Sequence, residues 1–254
     1  MFPILFSIGS FPVHSYGLLI AIGFLLAVFV IRSEAKRIGW NTELLVDWCF
    51  MVLLVGFIGA RVVFILTRWS YFAENPIEAL YVWEGGLVFY GGPLFVVPWA
   101  VFFAKRHRLS LAKLSDISVP GVVIAHAFGR LGCLASGCCY GHPTGRNWGV
   151  KLFSELVDPN LRGVFLHPTQ LYESGALFIL FFLLWFLRTR TRFNGQLGLT
   201  YFLFYPVIRS IIEVFRGDTI RGFVIDGVLS TSQFISILVF TVALFFYLRE
   251  TRRK

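Results

Sequence analysis

Seven apolar stretches, at residues 16–31, 44–66, 86–104, 117–137, 172–187, 197–215 and 232–248, alternate with more polar linkers. Most are long enough to cross about 30 Å of hydrocarbon, which takes about 20 helical residues. The fourth and sixth carry charged residues among the apolar ones. The pattern predicts an all-α integral membrane protein of about seven transmembrane helices, forming one domain over residues 1–254. The longest connection, about residues 138–168, contains two turn sequences, His142-Pro143-Thr144-Gly145 and Asp158-Pro159-Asn160, and several aromatics. Loops of that length usually serve a purpose, so this one is expected to lie over the membrane surface beside a site. No internal repeat is visible, which argues against a transporter.

Composition strengthens the membrane reading. Of 254 residues, 57% are hydrophobic and 15% charged, against roughly 45–50% and 25% in globular domains. The net charge of +9 fits either nucleic-acid binding or membrane topology, and the placement of the basic residues separates the two. Arg32, Lys36 and Arg37 fall in the first linker, and Lys105, Arg106, Arg108 and Lys113 in the third. Arg188, Arg190 and Arg192 fall in the fifth, and Arg249, Arg252, Arg253 and Lys254 in the tail. Together they outnumber Arg68, Arg146, Lys151, Arg162, Arg216 and Arg221 on the opposite side. Basic linkers mark the cytoplasmic face. The N-terminus is therefore expected outside and the C-terminus in the cytoplasm, with no nucleic-acid partner. No Lys or Arg precedes Arg32, so the N-terminal segment lacks the positive region of a signal peptide and is expected to be retained.

An ionisable residue inside a span is costly and usually faces a cavity or a partner. In the sixth stretch Tyr205, Arg209, Glu213 and Arg216 share one helical face. The face carries more positive than negative charge, which suits an anion; an internal salt bridge locking two helices is the other reading. In the fourth stretch His126, Arg130 and Cys133 share a face, flanked by Gly129, Gly132, Gly137 and Gly141. Small residues there permit close approach of a backbone or a lipid chain. His126 also reads as a hydrogen-bonded core residue. Arg61, late in the second stretch, either snorkels to the interface or joins the other guanidiniums. Several guanidiniums at similar depth point to a phosphate site, because their fork matches phosphate oxygens. Trp83-Glu84-Gly85-Gly86 and Tyr90-Gly91-Gly92 read as a loop entering a helix or as a surface free of side chains. Four cysteines, Cys49, Cys133, Cys138 and Cys139, are too few for a disulfide scaffold. The Cys133/Cys138/Cys139 cluster reads first as small apolar packing, with a redox role as the alternative. No cofactor and no metal is expected.

In these blocks the chain resembles the prolipoprotein diacylglyceryl transferase family over nearly its whole length. His14-Ser15-Tyr16-Gly17, Gly59-Ala60-Arg61 and Trp83-Glu84-Gly85-Gly86 are similar to its first three motifs. Gly129-Arg130-Leu131-Gly132 opens its signature. His167-Pro168-Thr169-Gln170-Leu171-Tyr172-Glu173 and Tyr205…Arg209…Glu213…Phe215-Arg216 follow in order. The resemblance implies an enzyme of the bacterial cytoplasmic membrane, multi-pass, with its site towards the outer leaflet. It implies transfer of a diacylglyceryl group from phosphatidylglycerol to the lipobox cysteine thiol of a prolipoprotein signal peptide, leaving a thioether and glycerol phosphate. The partners implied are phosphatidylglycerol, such signal peptides and membrane lipids.

Two departures from the family pattern stand out. Cys133, Ser136 and Cys138 replace two asparagines and a glutamate of the signature, and Tyr90 stands where the family often has a histidine. The expected catalytic residues are Arg130 and Arg209, holding the phosphate, with Tyr205 orienting it and Tyr90 or His126 assisting proton removal. Tyr16, Arg61, Gly91, Gly92, Gly129, Gly132, Gly141, Glu213, Arg216 and His126 are expected to bind or frame the substrate. Two rivals are a membrane thiol oxidoreductase using the three clustered cysteines and a lipid-binding paralogue without activity.

Overall fold

A computed structural model describes residues 4–8, 11–217, 222–225 and 228–253. Residues 1–3, Arg221 and Lys254, which entered the reading of the N-terminus and of the charge distribution, lie outside them. In chain order the elements are β1 (Ile4–Ile8), β2 (Phe11–His14), α1 (Ser15–Arg37), α2 (Thr42–Thr67), α3 (Trp69–Glu74), α4 (Gly91–Arg106) and α5 (Leu111–Ser136). They continue with β3 (Val150–Lys151), β4 (Phe165–Leu166), α6 (Thr169–Leu187), α7 (Gln196–Glu213), β5 (Phe223–Ile225), β6 (Leu229–Ser230) and α8 (Thr231–Arg252). Each apolar stretch of the sequence therefore lies on its own helix. Helix α4 starts at Gly91, five residues after the stretch that predicts it. Gly85 and Gly86 adopt positive φ (86° and 79°), which ends regular structure before the helix begins. The short α3 and the three two-stranded ribbons, β1–β2, β3–β4 and β5–β6, have no counterpart in the hydrophobic pattern.

By length and composition, α1, α2, α5, α6 and α8 can cross a membrane. Helix α4, at 16 residues, is shorter than a full span, and α7 carries Arg209 and Glu213 among its apolar residues. Large apolar side chains such as Phe29, Ile179 and Phe182 stand well exposed on these helices. Water would disfavour such faces, whereas hydrocarbon accepts them. The molecule is an all-α membrane protein with small β ribbons before and between its helices.

The chain groups into two compact units, Arg32–Leu114 and Met1–Ile31 with Ser115–Lys254. In the first, α2 packs on α4. The backbones meet at Gly59 and Gly91, where a Cβ on Gly59 would fall 2.4 Å from the Gly91 carbonyl oxygen. Any larger residue would force the helices apart. Near the end of α2, buried Arg61 donates to five carbonyl oxygens of the following loop: Ala79 at 3.0 Å, Gly85 at 2.6 Å, Gly86 at 3.1 Å, Glu78 at 2.9 Å and Tyr81 at 3.2 Å.

In the second unit, Val119, Val123 and Ala127 of α5 pack with Leu177, Leu180 and Leu184 of α6 and Leu197 of α7. Helix α1 joins through Ala27 and Val30 against Ile124. The start of α7 is fixed by Asp116 of α5. Its Oδ2 accepts from the Gly195 amide at 2.6 Å, and its Oδ1 accepts from Leu197 at 2.8 Å and Gly198 at 3.2 Å. First-turn amides otherwise have no partner inside their helix. Asp116→Ala is expected to lower stability by about 1–2 kcal/mol, read as a lower unfolding midpoint in detergent. An unchanged midpoint would remove this cap from the account.

The connection between α5 and α6 has a small core of its own, Tyr140, Leu152, Val157 and Leu166. Ribbon β3–β4 lies within it.

Candidate active site

The polar end of α6 is the centre of the site. Glu173 follows Thr169 by four residues and Gln170 by three, hence shares a face with each, and all three are 1% exposed. This face turns towards α5, where Ser174 Oγ also donates to the Ala127 carbonyl at 3.0 Å. Glu173 Oε1 collects groups from two other helices. Arg130 Nη2 of α5 lies 3.0 Å away, the Tyr205 hydroxyl of α7 donates at 3.0 Å, and His126 Nε2 lies at 3.8 Å. The Tyr205 ring sits 5.1 Å from the His126 ring and stacks on Tyr201 at 5.4 Å.

One turn further along α7, Arg209 Nη2 pairs with Glu213 Oε2 and donates to Ser232 Oγ of α8 at 3.2 Å. Arg209 is 6% exposed, and its Nη1 has no hydrogen-bond partner among the described residues. A buried guanidinium with an open nitrogen is costly unless an anion completes it. Tyr205, one turn before Arg209 on α7, shares Glu173 with Arg130, so both guanidiniums belong to one helix contact. The charged stripe read on α7 is thus divided: Tyr205 serves Glu173, while Arg209 pairs with Glu213.

At the far end of α7, Arg216 is buried and hydrogen-bonds Cys139. Hydrogen bonds with the Cys133 and Cys138 thiols, with the Arg216 charge behind them, hold the Cys139 thiol below the usual thiol range; the same network raises Cys138. Gly141 explains how this end closes. Its amide donates to the His167 carbonyl at 3.0 Å, and the Gly217 amide donates to the Tyr140 carbonyl at 3.2 Å. A Cβ on Gly141 would sit 2.5 Å from both the Phe215 carbonyl oxygen and His167 Cβ. Gly132 carries the ring of Tyr16, 2.9 Å from where its Cβ would be, whereas Gly129 faces open space.

The other expected site residues belong to the unit Arg32–Leu114. The Arg61 nitrogens donate to the five loop carbonyls. Gly91 serves helix contact, and a Cβ on Gly92 would meet only the Gly56 backbone at ordinary distance. Tyr90 is half-exposed at the start of α4, edge-on to Phe89 at 5.9 Å. Sequence reasoning quoted Glu173 without giving it a role and passed over Ser232. A carboxylate one turn into an apolar helix was the available signal for Glu173; nothing local marks Ser232.

The family model described as prolipoprotein diacylglyceryl transferase matches residues 3–249. The phosphatidylglycerol–prolipoprotein diacylglyceryl transferase of Clostridium tetani is 34% identical over 255 residues, covering 100% of both chains. Those of Staphylococcus haemolyticus and Bacillus cereus are 31% and 32% identical, over 95% and 97% of this chain and 86% and 90% of theirs. The chain belongs to the prolipoprotein diacylglyceryl transferase family.

Proposed function

We propose that this protein transfers a diacylglyceryl group from phosphatidylglycerol to the lipobox cysteine thiol of prolipoprotein signal peptides. The observation that carries the reading is the open Nη1 of buried Arg209, one turn along α7 from the Tyr205 that shares Glu173 with Arg130. Arg209 and Arg130 hold the lipid phosphate, and the leaving glycerol phosphate keeps that hold as its charge develops. Glu173 and Tyr205 fix Arg130, while Glu213 and Ser232 aim Arg209. Tyr16, Gly129, Gly132 and Gly141 frame the space, and Arg216 closes its outer end. His126 assists proton removal. In this reading seven spans run with the N-terminus outside, and the groups act near the outer leaflet of the bacterial cytoplasmic membrane, where both substrates arrive laterally. The basic linkers support that orientation.

Magnitudes explain why a histidine at position 90 is dispensable in this reading. A thiol of ordinary pKa is already partly ionised at pH 7, so full deprotonation gains only about 2 kcal/mol. A preorganised charge stabiliser contributes about 3–4 kcal/mol. The test uses purified protein in liposomes with phosphatidylglycerol and a synthetic lipobox peptide. A peptide mass gain of one diacylglyceryl group is expected, and none when the cysteine is serine. An unmodified cysteine peptide with lipid still bound would favour an inactive lipid-binding paralogue.

A further inference from the structure

Three thiols converge beside this site, and the reading above gives them no task. The sulfurs of Cys133, Cys138 and Cys139 all lie within 4.8 Å of one another, and all three residues are half-buried and outside any disulfide. Three thiolates at the usual zinc–sulfur distance of about 2.3 Å stand about 3.8 Å apart in a tetrahedral set, which small side-chain rotations reach from here. The backbone that presents them is tied down. The Cys138 amide donates to the Cys133 carbonyl at 3.0 Å. Gln170 Nε2 donates to the Cys138 carbonyl at 2.6 Å, and Thr169 Oγ1 to the Cys139 carbonyl at 2.7 Å. Cys139 adopts a left-handed conformation (φ 62°), a departure from the extended run in which adjacent side chains point apart. Such outer bonds orient ligands at a metal.

Charge supports the same conclusion. Three thiolates around a divalent ion carry one net negative charge. Buried Arg216 hydrogen-bonds Cys139, and Arg130 lies one turn before Cys133 on α5. Simple apolar packing would gain nothing from two guanidiniums at its edge.

We propose that Cys133, Cys138 and Cys139 form a three-thiolate site for a soft divalent ion of the zinc class, its fourth position open to the acceptor peptide's cysteine thiol. The site rests on the geometry above; the role of the fourth position rests on the transferase reading. Three protein ligands with an open position are the usual form of a reactive zinc site, and a metal-bound thiol is deprotonated outright. The acceptor thiol gives up its proton on binding. Its sulfur then forms a bond to the glyceryl carbon, the bond from that carbon to the phosphate oxygen breaks, and the electron pair leaves on glycerol phosphate. The released proton ends on that phosphate, so nothing is oxidised or reduced.

The test titrates Co²⁺ into the reduced full-length protein in detergent and follows thiolate-to-metal charge transfer and tetrahedral ligand-field bands. One equivalent is expected to bind, Zn²⁺ should displace it, and C133S/C138S/C139S should bind none while keeping its helical circular dichroism. Cys138→Ser alone should weaken binding at least about tenfold. Adding a lipobox peptide should shift the ligand-field bands, and its serine counterpart should not. Uptake by the wild type no better than by the triple-serine protein overturns the site. Uptake with bands that ignore the cysteine peptide overturns the open fourth position. These readouts are spectroscopic, so a failure of diacylglyceryl transfer, scored by peptide mass, is seen separately.

Discussion

Arg209→Ala lowers kcat/KM for diacylglyceryl transfer by about 10²–10³-fold, the loss expected when one preorganised charge stabiliser is removed. Arg209 lies in the face of α7, buried and held by Glu213 and Ser232, with Nη1 free of partners among the described residues. The effect should fall on kcat more than on lipid affinity, because the phosphate gains charge as the ester bond breaks and the guanidinium meets more of it then. Arg209→Lys tests geometry against charge. An ammonium keeps the charge and loses the planar fork, so its activity should lie between those of Ala and wild type. Steady-state rates with phosphatidylglycerol vesicles and a lipobox peptide decide the matter. An alanine variant within threefold of wild type would sink the phosphate assignment.

Glu173→Ala is expected to be the most destabilising single change, by about 3–5 kcal/mol, because it leaves Arg130 buried and without its counter-charge. The carboxylate is 1% exposed, so water reaches the orphaned guanidinium poorly. The Tyr205 hydroxyl would lose its acceptor as well. Thermal unfolding in detergent reads the loss. Glu173→Leu combined with Arg130→Met removes both charges together. The pair of changes should regain much of the stability of Glu173→Ala, since matched apolar replacements for a buried ion pair are often near neutral. Activity should stay lost in the double variant, because the phosphate has lost Arg130. A double variant as unstable as Glu173→Ala would show that the pair does not govern stability.

The helices were readable in the sequence because apolar runs of membrane length admit few alternatives. The stripe Tyr205, Arg209, Glu213 and the facing His126 and Arg130 were readable for the same reason, since charge inside a span stands out against it. Which of these groups pair was not readable. Tyr205 and Arg209 lie one turn apart on α7 yet serve different carboxylates, and only the packing of α6 decides that. Arg61 looked like its fellow guanidiniums in sequence, but its partners are backbone carbonyls, which carry no residue signature. The start of α4 was misplaced because the glycines at 85 and 86 are apolar by composition while their backbone is not helical. The three cysteines are spread over seven positions, and their convergence depends on the turn after α5, which residue spacing alone does not reveal.

The Arg61 loop inverts the usual plan of a folded segment. Its carbonyl oxygens are drawn inward onto one cation, while Ile77, Leu80 and Trp83 stand outermost. A surface segment in water would do the reverse. At the boundary between headgroups and hydrocarbon, a loop turned inside out in this way can settle into lipid without exposing its own peptide dipoles. One arginine thereby does for this loop what an apolar core does elsewhere, and losing it would turn an anchor into a tangle of unsatisfied carbonyls.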